Sequence, residues 1–310
     1  MYTQTIRQLI DQAVERMLSD IRQEAPHIAE QTERWVKRLA GTERPGDYFQ
    51  HPLAFPMLLL PWWMEQTLRP APDLDFQADL IYSSINGYYY IRMIDNVMDG
   101  HSTVERQLLP VSGLFHMHFH GVYHTYFAHG HPFWRLFRSI CLQSAENAVR
   151  DAGLSQIDLP TFQEVAGKKV VGGKIPLAAI SYRYDALYLF DRWQAFYDKL
   201  GCWHQMYNDL FGWLKDLRNQ TPSYFLSEAE RRKAPEQSPA EWVIHEGFSW
   251  GIEVLNRWLG DLRYLAAELN SPELVAYLHK RQTLLQEQSV TAMRTFHSLG
   301  RLLDGSDQRA

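Results

Sequence analysis

Two stretches of this 310-residue chain set oxygen-bearing side chains at four-residue spacing inside aromatic sequence. In RMIDNVMDG they are Asp95, Asn96 and Asp99; in YNDLFGWLKD they are Asn208 and Asp216, with Gly212 between. Residues four apart share one face of an α-helix, so each stretch presents its polar groups as a stripe. Hard oxygen ligands with gaps that phosphate oxygens or water can fill suit Mg²⁺, which keeps several waters and takes ligands from its substrate. The two stripes are therefore expected to face each other and hold Mg²⁺ around a diphosphate.

A lone DxxxD on a helix is commonly just a solvated face. Here the flanks are YYYIRMI and VM, and carboxylates in such apolar surroundings are costly to bury unless a cation compensates them. In the second stretch Gln205, Asn208, Gly212 and Asp216 line one side of a helix whose other side carries Trp193, Phe196, Leu200, Trp203, Leu210, Phe211, Trp213 and Leu214. Glycine at a mid-helix position is less favourable than alanine by about 1 kcal/mol. Gly212 thus suggests room for a metal-bound water or a phosphate oxygen against the backbone, its bland reading being a helix–helix contact. Lys215 lies beside the stripe, within reach of the same anion.

The elements that must position these groups read as helices throughout. Apolar residues recur at three- and four-residue spacing, with Gly and Pro clusters between the periodic segments and no strand series. Helices are expected near 5–22, 28–40, 52–68, 76–99, 103–128, 133–152, 159–182, 188–217, 239–269 and 272–303. Gly100 should end the first-stripe helix, and Pro222 should end the second and hand over to a loop above the stripe, a candidate lid. The charged, Pro-containing patch at 227–239 and the polar tail after Leu303 read as irregular.

Composition bounds the function. With 45% hydrophobic residues, residues 1–310 can form one large all-α domain with a sizeable core. A net charge of −5 and scattered Lys and Arg give no footprint for nucleic acid. Cys141 and Cys202 have no CxxC spacing, so neither a disulfide framework nor a thiolate zinc site is indicated, and a reducing compartment fits. The N-terminal helix is interrupted by charges, unlike a signal peptide, and no apolar run approaches a membrane span. The reading is a cytoplasmic protein, with a homodimer compatible.

A rival lies in FHMHFHGVYHTYFAHGH, where His116, His120 and His124 recur every four residues and could bind a transition metal. The bland alternative is interfacial histidine on an aromatic-rich helix without carboxylate partners. A third hypothesis is a non-catalytic binding protein, which would bind Mg²⁺ and diphosphate and form no product.

NDLFGWLKD resembles the second metal motif of class I terpene synthases, Asn-Asp-x-x-Ser-x-x-Lys-Glu, and DNVMD resembles their aspartate-rich motif. Between them EVAGKKVVGGKIP is similar to the family's diphosphate-sensor segment, with Lys168 and Lys169 in the arginine places and Gly172 and Gly173 at the helix break. The resemblance covers roughly residues 82–227. It implies a helical bundle around a central aromatic-lined cavity and Mg²⁺-assisted ionisation of a linear prenyl diphosphate to a carbocation that becomes a terpene hydrocarbon or alcohol. Asp95 and Asp99, with Asn96 beside them, would hold two Mg²⁺. Asn208 and Asp216, with water at Gly212, would hold a third, and Lys168, Lys169 and Lys215 would bind diphosphate. The ten Trp, 16 Tyr and 15 Phe supply π-faces that stabilise cations.

The departures are specific. Asn96 stands where a second Asp is common, Gly212 replaces a Ser hydroxyl, Asp216 is one methylene shorter than Glu, and lysine lacks the bidentate fork of arginine. Of the family's C-terminal Arg-Tyr pair only Arg294 and Arg301 are candidates. The chain also resembles squalene and phytoene synthases, which join two prenyl diphosphates, but their second motif has DxxxD spacing, whereas Asn208 and Asp216 are eight apart.

Overall fold

A computed structural model of the chain describes residues 1–98, 100 and 103–306, and the side chains of these except 103, 152 and 297–306. The fold is all-α, and no strand occurs among the described residues. In chain order the helices are α1 (Gln4–Glu24), α2 (Pro26–Ala40), α3 (Gly46–Gln50), α4 (Leu59–Leu68), α5 (Leu74–Met98), α6 (Thr103–Leu108), α7 (Val111–Gly121), α8 (Phe133–Ala152), α9 (Leu159–Lys169), α10 (Lys174–Arg183), α11 (Leu187–Asn219), α12 (Tyr224–Arg232), α13 (Pro239–Trp242), α14 (Phe248–Glu268) and α15 (Pro272–Ser306). A 3₁₀ turn, Val122–Thr125, follows α7; another, Val171–Gly173, lies between α9 and α10; a π-helical turn, Val243–Gly247, joins α13 to α14. The chain divides into two compact units: Met1–Ala152 with Val170–Gln194, and Gly153–Lys169 with the chain from Ala195 onward.

In the first unit α5 packs against α1 and α7. Helix α1 starts where the Thr3 hydroxyl accepts the Ile6 N–H, and it buries Ile6, Leu9, Ile10, Ala13, Val14, Met17, Leu18 and Ile21 as one stripe. Burial of each large side chain contributes about 1.5–3 kcal/mol, which is why tertiary packing rather than propensity holds the helix. Gly87 permits the close approach of α7, since a Cβ there would sit 3.0 Å from the Phe119 ring. Trp35 is fully buried, its ring centroid 5.8 Å from Tyr89 and 6.2 Å from Phe115.

In the second unit the long helix α11 is locked to α14 by the Trp203 Nε1–H donating to the Leu255 carbonyl at 3.0 Å. Gly251 lets α14 meet Leu210 of α11, where a Cβ would lie 2.6 Å from a Leu210 methyl. Helix α12 is clasped by aromatic stacking, Phe225 on Trp250 at 6.2 Å and Tyr224 on Phe162 at 4.7 Å. At the π-helical turn a Cβ on Gly247 would fall 2.3 Å from the Trp242 ring, so the indole rests directly on the backbone.

The long periodic segments fold as read, and the breaks in between are finer than periodicity shows. Pro110, which lacks an N–H and crowds the preceding turn, splits the expected 103–128 helix into α6 and α7. The 159–182 segment breaks at the Gly172–Gly173 pair, and the 52–68 segment becomes helical only from Leu59, after Pro56. The expected irregular patch at 227–239 is a correction: residues up to Arg232 belong to α12. Ser223 caps it by accepting the Leu226 N–H, and Glu228 bonds Arg231 and Arg232 at 2.6 Å each, so the charges decorate a helix rather than dissolve it.

Candidate functional site

The first stripe lies at the end of α5, in the first unit. Asp95 is half exposed, its carboxylate 3.2 Å from Arg92 Nη1 one turn earlier. Asn96 is buried at 5% exposure and donates from Nδ2 to Glu105 Oε1 at 3.1 Å, the same oxygen that accepts Trp35 Nε1–H at 2.8 Å. Asp95 and Asn96 therefore look in different directions, one to solvent and one to the core. Asp99 lies outside the described residues. Beyond it Gly100 takes φ +67°, the left-handed conformation that glycine adopts after a helix.

The second stripe runs along α11, in the second unit, and it differs from expectation in one residue. Asn208 is exposed, while its neighbour Asp209 is buried at 4% exposure. The spacing of Gln205, Asp209, Gly212 and Asp216, at four, three and four residues, makes them the inward line of the helix. Gln205 Nε2 donates to Asp209 Oδ1 at 2.7 Å. Burial pushes the Asp209 carboxyl up to about 7, although the Gln205 hydrogen bond and the Lys169 charge both pull it down. Asp216 is raised for the same reason, with Lys215 and Lys169 opposing. The Lys169 ammonium is thus within electrostatic reach of both carboxylates. A Cβ on Gly212 would meet only Asp216 Oδ2, at 3.9 Å, so the backbone there is open.

Beside Asp216 opens a cleft of about 540 Å³, bordered by Leu217, Thr221, Ser223, Leu226 and Arg231. The Gln220–Ser223 segment, expected as a lid, forms part of this border, tied down by the Thr221 N–H donating to the Asp216 carbonyl at 2.9 Å. Of the lysines, Lys168 is engaged by Glu164 at 3.2 Å within α9, whereas Lys169 and Lys215 act on the stripe. Sequence reasoning passed over Asp209 because it counted four-residue steps from Asn208; starting them from Gln205 would have found it.

The histidine row brings its rings together, parallel for the first pair and edge to face for the second. His116 and His120 lie parallel with centroids 6.2 Å apart, His120 and His124 at 4.7 Å, and Trp134 lies 4.3 Å from His124. Burial and the neighbouring imidazoles push His120 below its ordinary value, favouring the neutral ring. Among the described residues no group of three or more His, Cys, Asp or Glu side chains is arranged to hold a metal ion. Nor, among them, is any helix long and apolar enough to cross a membrane.

No protein-family model matches this chain, and no curated protein matches its sequence.

Proposed function

We propose that this chain is a Mg²⁺-dependent enzyme of the terpene synthase kind, ionising a linear prenyl diphosphate and releasing diphosphate. The observation that carries the reading is the arrangement on α11: a desolvated Asp216, flanked by Lys215 and Lys169, at the edge of a cleft and beside the open backbone of Gly212. A carboxylate raised by burial despite two cations lacks full compensation for its charged form, and a divalent ion would supply it. Asn208 and Asp216 are hard oxygen donors eight residues apart on one helix, a set that fits Mg²⁺ with water filling the place above Gly212. When bound, Mg²⁺ would withdraw charge from the diphosphate oxygens as the C–O bond breaks.

The chain's own groups do the rest. Lys169 and Lys215 answer the negative charge that grows on the leaving group, a stabilisation stronger in the transition state than in the ground state. Lys168, held by Glu164, contributes less. In the first unit Asp95 offers a carboxylate whose exposed pairing with Arg92 is readily exchanged for a metal, and Asp99 would complete that ligand set. Asn96 is committed to Glu105 and acts on the metal only by fixing the end of α5.

The test is incubation of the purified protein with C10 to C25 prenyl diphosphates, with and without Mg²⁺, following diphosphate release and product by chromatography. Mg²⁺-dependent release with a terpene hydrocarbon or alcohol is expected. A product joining two prenyl chains would move the chain to the squalene and phytoene synthase chemistry; binding without turnover would make it a binding protein; absence of both would end the reading.

A further inference from the structure

We infer that His120 and His124 form a second metal site, in the first unit, which takes a transition-metal ion of the Cu²⁺ or Zn²⁺ kind rather than Mg²⁺. It is independent of the function proposed above, whose oxygen ligands lie on α5 and α11 and suit a harder ion.

The two imidazoles are about one turn apart, His120 in α7 and His124 in the 3₁₀ turn that continues it. Histidines at this spacing can close on one ion. A nitrogen bound to such an ion lies about 2.0–2.1 Å from it, which puts the ring centroid about 3.2 Å away. Two rings in neighbouring positions around the ion, at about 90–110°, therefore have centroids about 4.5–5.2 Å apart. His120 and His124 stand at 4.7 Å, edge to face. His116 and His120, at 6.2 Å, exceed that separation, which leaves His116 outside the site. Among the described residues no third His, Cys, Asp or Glu joins the pair, so water would fill the remaining positions.

Aromatic neighbours hold both rings in place. Trp134 lies 4.3 Å from His124 and 5.0 Å from His120, and Phe137 lies 5.2 Å from His120. The indole is fixed in turn, its Nε1–H donating to the Phe127 and Ala128 carbonyls at 3.3 and 3.1 Å. Stacking on Trp134 takes a face of the His124 ring and leaves the nitrogens, which lie in the ring plane, to a ligand. Neighbouring histidines are spent differently: His118 Nε2 pairs with Glu24 at 3.0 Å, and His131 Nδ1 accepts the Phe133 N–H at 3.2 Å. Burial and the adjoining imidazoles favour the neutral form of His120, the form with a lone pair to give. Imidazole donors beside an apolar wall of Trp and Phe suit Cu²⁺ or Zn²⁺, whereas Mg²⁺ asks for oxygen. A bound ion would clip the 3₁₀ turn to α7.

The test is calorimetric titration of the full chain with Cu²⁺, with Zn²⁺ and Mg²⁺ as competitors, and electron paramagnetic resonance of the Cu²⁺ form. Cu²⁺ is expected to bind with its spectrum coupled to two imidazole nitrogens. Zn²⁺ should compete for the site, and about a hundredfold excess of Mg²⁺ should not. His120→Gln and His124→Gln should each weaken binding at least about tenfold, and His116→Gln by less than about threefold. His124 is exposed, so its variant probes the pair without opening the core. If His120→Gln does not fold, His124→Gln and the nitrogen count decide. Absence of Cu²⁺ binding, binding that neither variant weakens, coupling to a single imidazole, or an equal loss in His116→Gln would overturn the site.

Discussion

At the end of α5 the Asp95 carboxylate sits half in solvent beside Arg92, and its neighbour Asn96 is turned inward to Glu105. On α11 the inward residue of the corresponding pair is itself a carboxylate, Asp209, and the outward one is the amide, Asn208. An exposed ion pair such as Asp95 with Arg92 contributes only about 0–1 kcal/mol and is exchanged readily for another partner. Desolvated carboxylates such as Asp209 and Asp216 hold charge at a real energetic disadvantage, which a ligand can relieve. Helical spacing thus yields an exposed carboxylate paired with a neighbouring arginine in one stripe and desolvated carboxylates in the other. On the function proposed above, the second is where a cation would gain most.

The largest effect should come from Asp216. Asp216→Ala is expected to lower Mg²⁺-dependent diphosphate release by about 10³-fold, roughly 4 kcal/mol of transition-state stabilisation, with the circular dichroism spectrum kept because the residue is only partly buried. Asp95→Ala should cost clearly less; equal losses in steady-state kinetics would erase the distinction between the stripes.

Next is the inward residue of the first stripe. Asn96→Asp would place a carboxylate against Glu105 Oε1, now 3.1 Å from a donating amide, in a buried site. A loss of about 3 kcal/mol is expected, seen as a lower urea midpoint at unchanged slope. A neutral outcome would mean that Asn96 is free to serve as a ligand.

A third test uses acidity, since α11 buries two titratable groups of opposite sign. Burial and the Arg281 charge lower His204 to about 3, so below its ordinary range the unfolded chain takes up a proton that the folded one refuses, and stability is lost as pH falls from the mid-6 region toward 3. Asp209, raised to about 7, does the reverse: the folded chain keeps a proton that the unfolded one has released, and stability is lost as pH rises from about 4 to 7. Each slope is at most about 1.4 kcal/mol per pH unit, and in the wild type the two oppose each other. In urea unfolding at pH 5, 6 and 7, His204→Gln should gain stability on acidification and Asp209→Asn should lose it. Parallel slopes in all three proteins would mean that neither group titrates across this window.

The smallest effect separates two adjacent lysines. Lys169→Gln should lower kcat about tenfold with little change in KM, whereas Lys168→Gln, which only breaks an exposed pair with Glu164, should stay within about threefold. Reversed effects would move the leaving-group contact to the other face of α9.

The helices of this chain were legible because burial repeats every three to four residues over long stretches, as along α1. The interruptions were legible only where glycine or proline marks them, as at Gly172 and Pro110. Helix α12 escaped because its run of Glu and Arg outweighed a sound start signal, Ser223 followed by Tyr224, Phe225 and Ala229 in helical register. In the site, spacing found the right helices but could not choose between neighbours such as Asn208 and Asp209. That choice depends on which way the helix is rolled, and the roll is set by contacts such as Leu210 on Gly251. The presence of Asn96 where an aspartate is common has its reason in Glu105, nine residues further on and visible only in three dimensions.

The π-helical turn before Phe248 has a consequence for how this chain tolerates changes in length. Such a turn accommodates one residue more than the α-helical path, so everything after it is rotated by about 100° relative to an uninterrupted helix. Deleting a single residue between Val243 and Gly247 would restore regular winding and swing Trp250, Val254 and Trp258 of α14 away from their present neighbours, whereas the same deletion in the polar stretch 233–237 would leave that face in register. Homologues that differ in length should therefore vary in that stretch and keep the Trp242-to-Gly247 interval fixed.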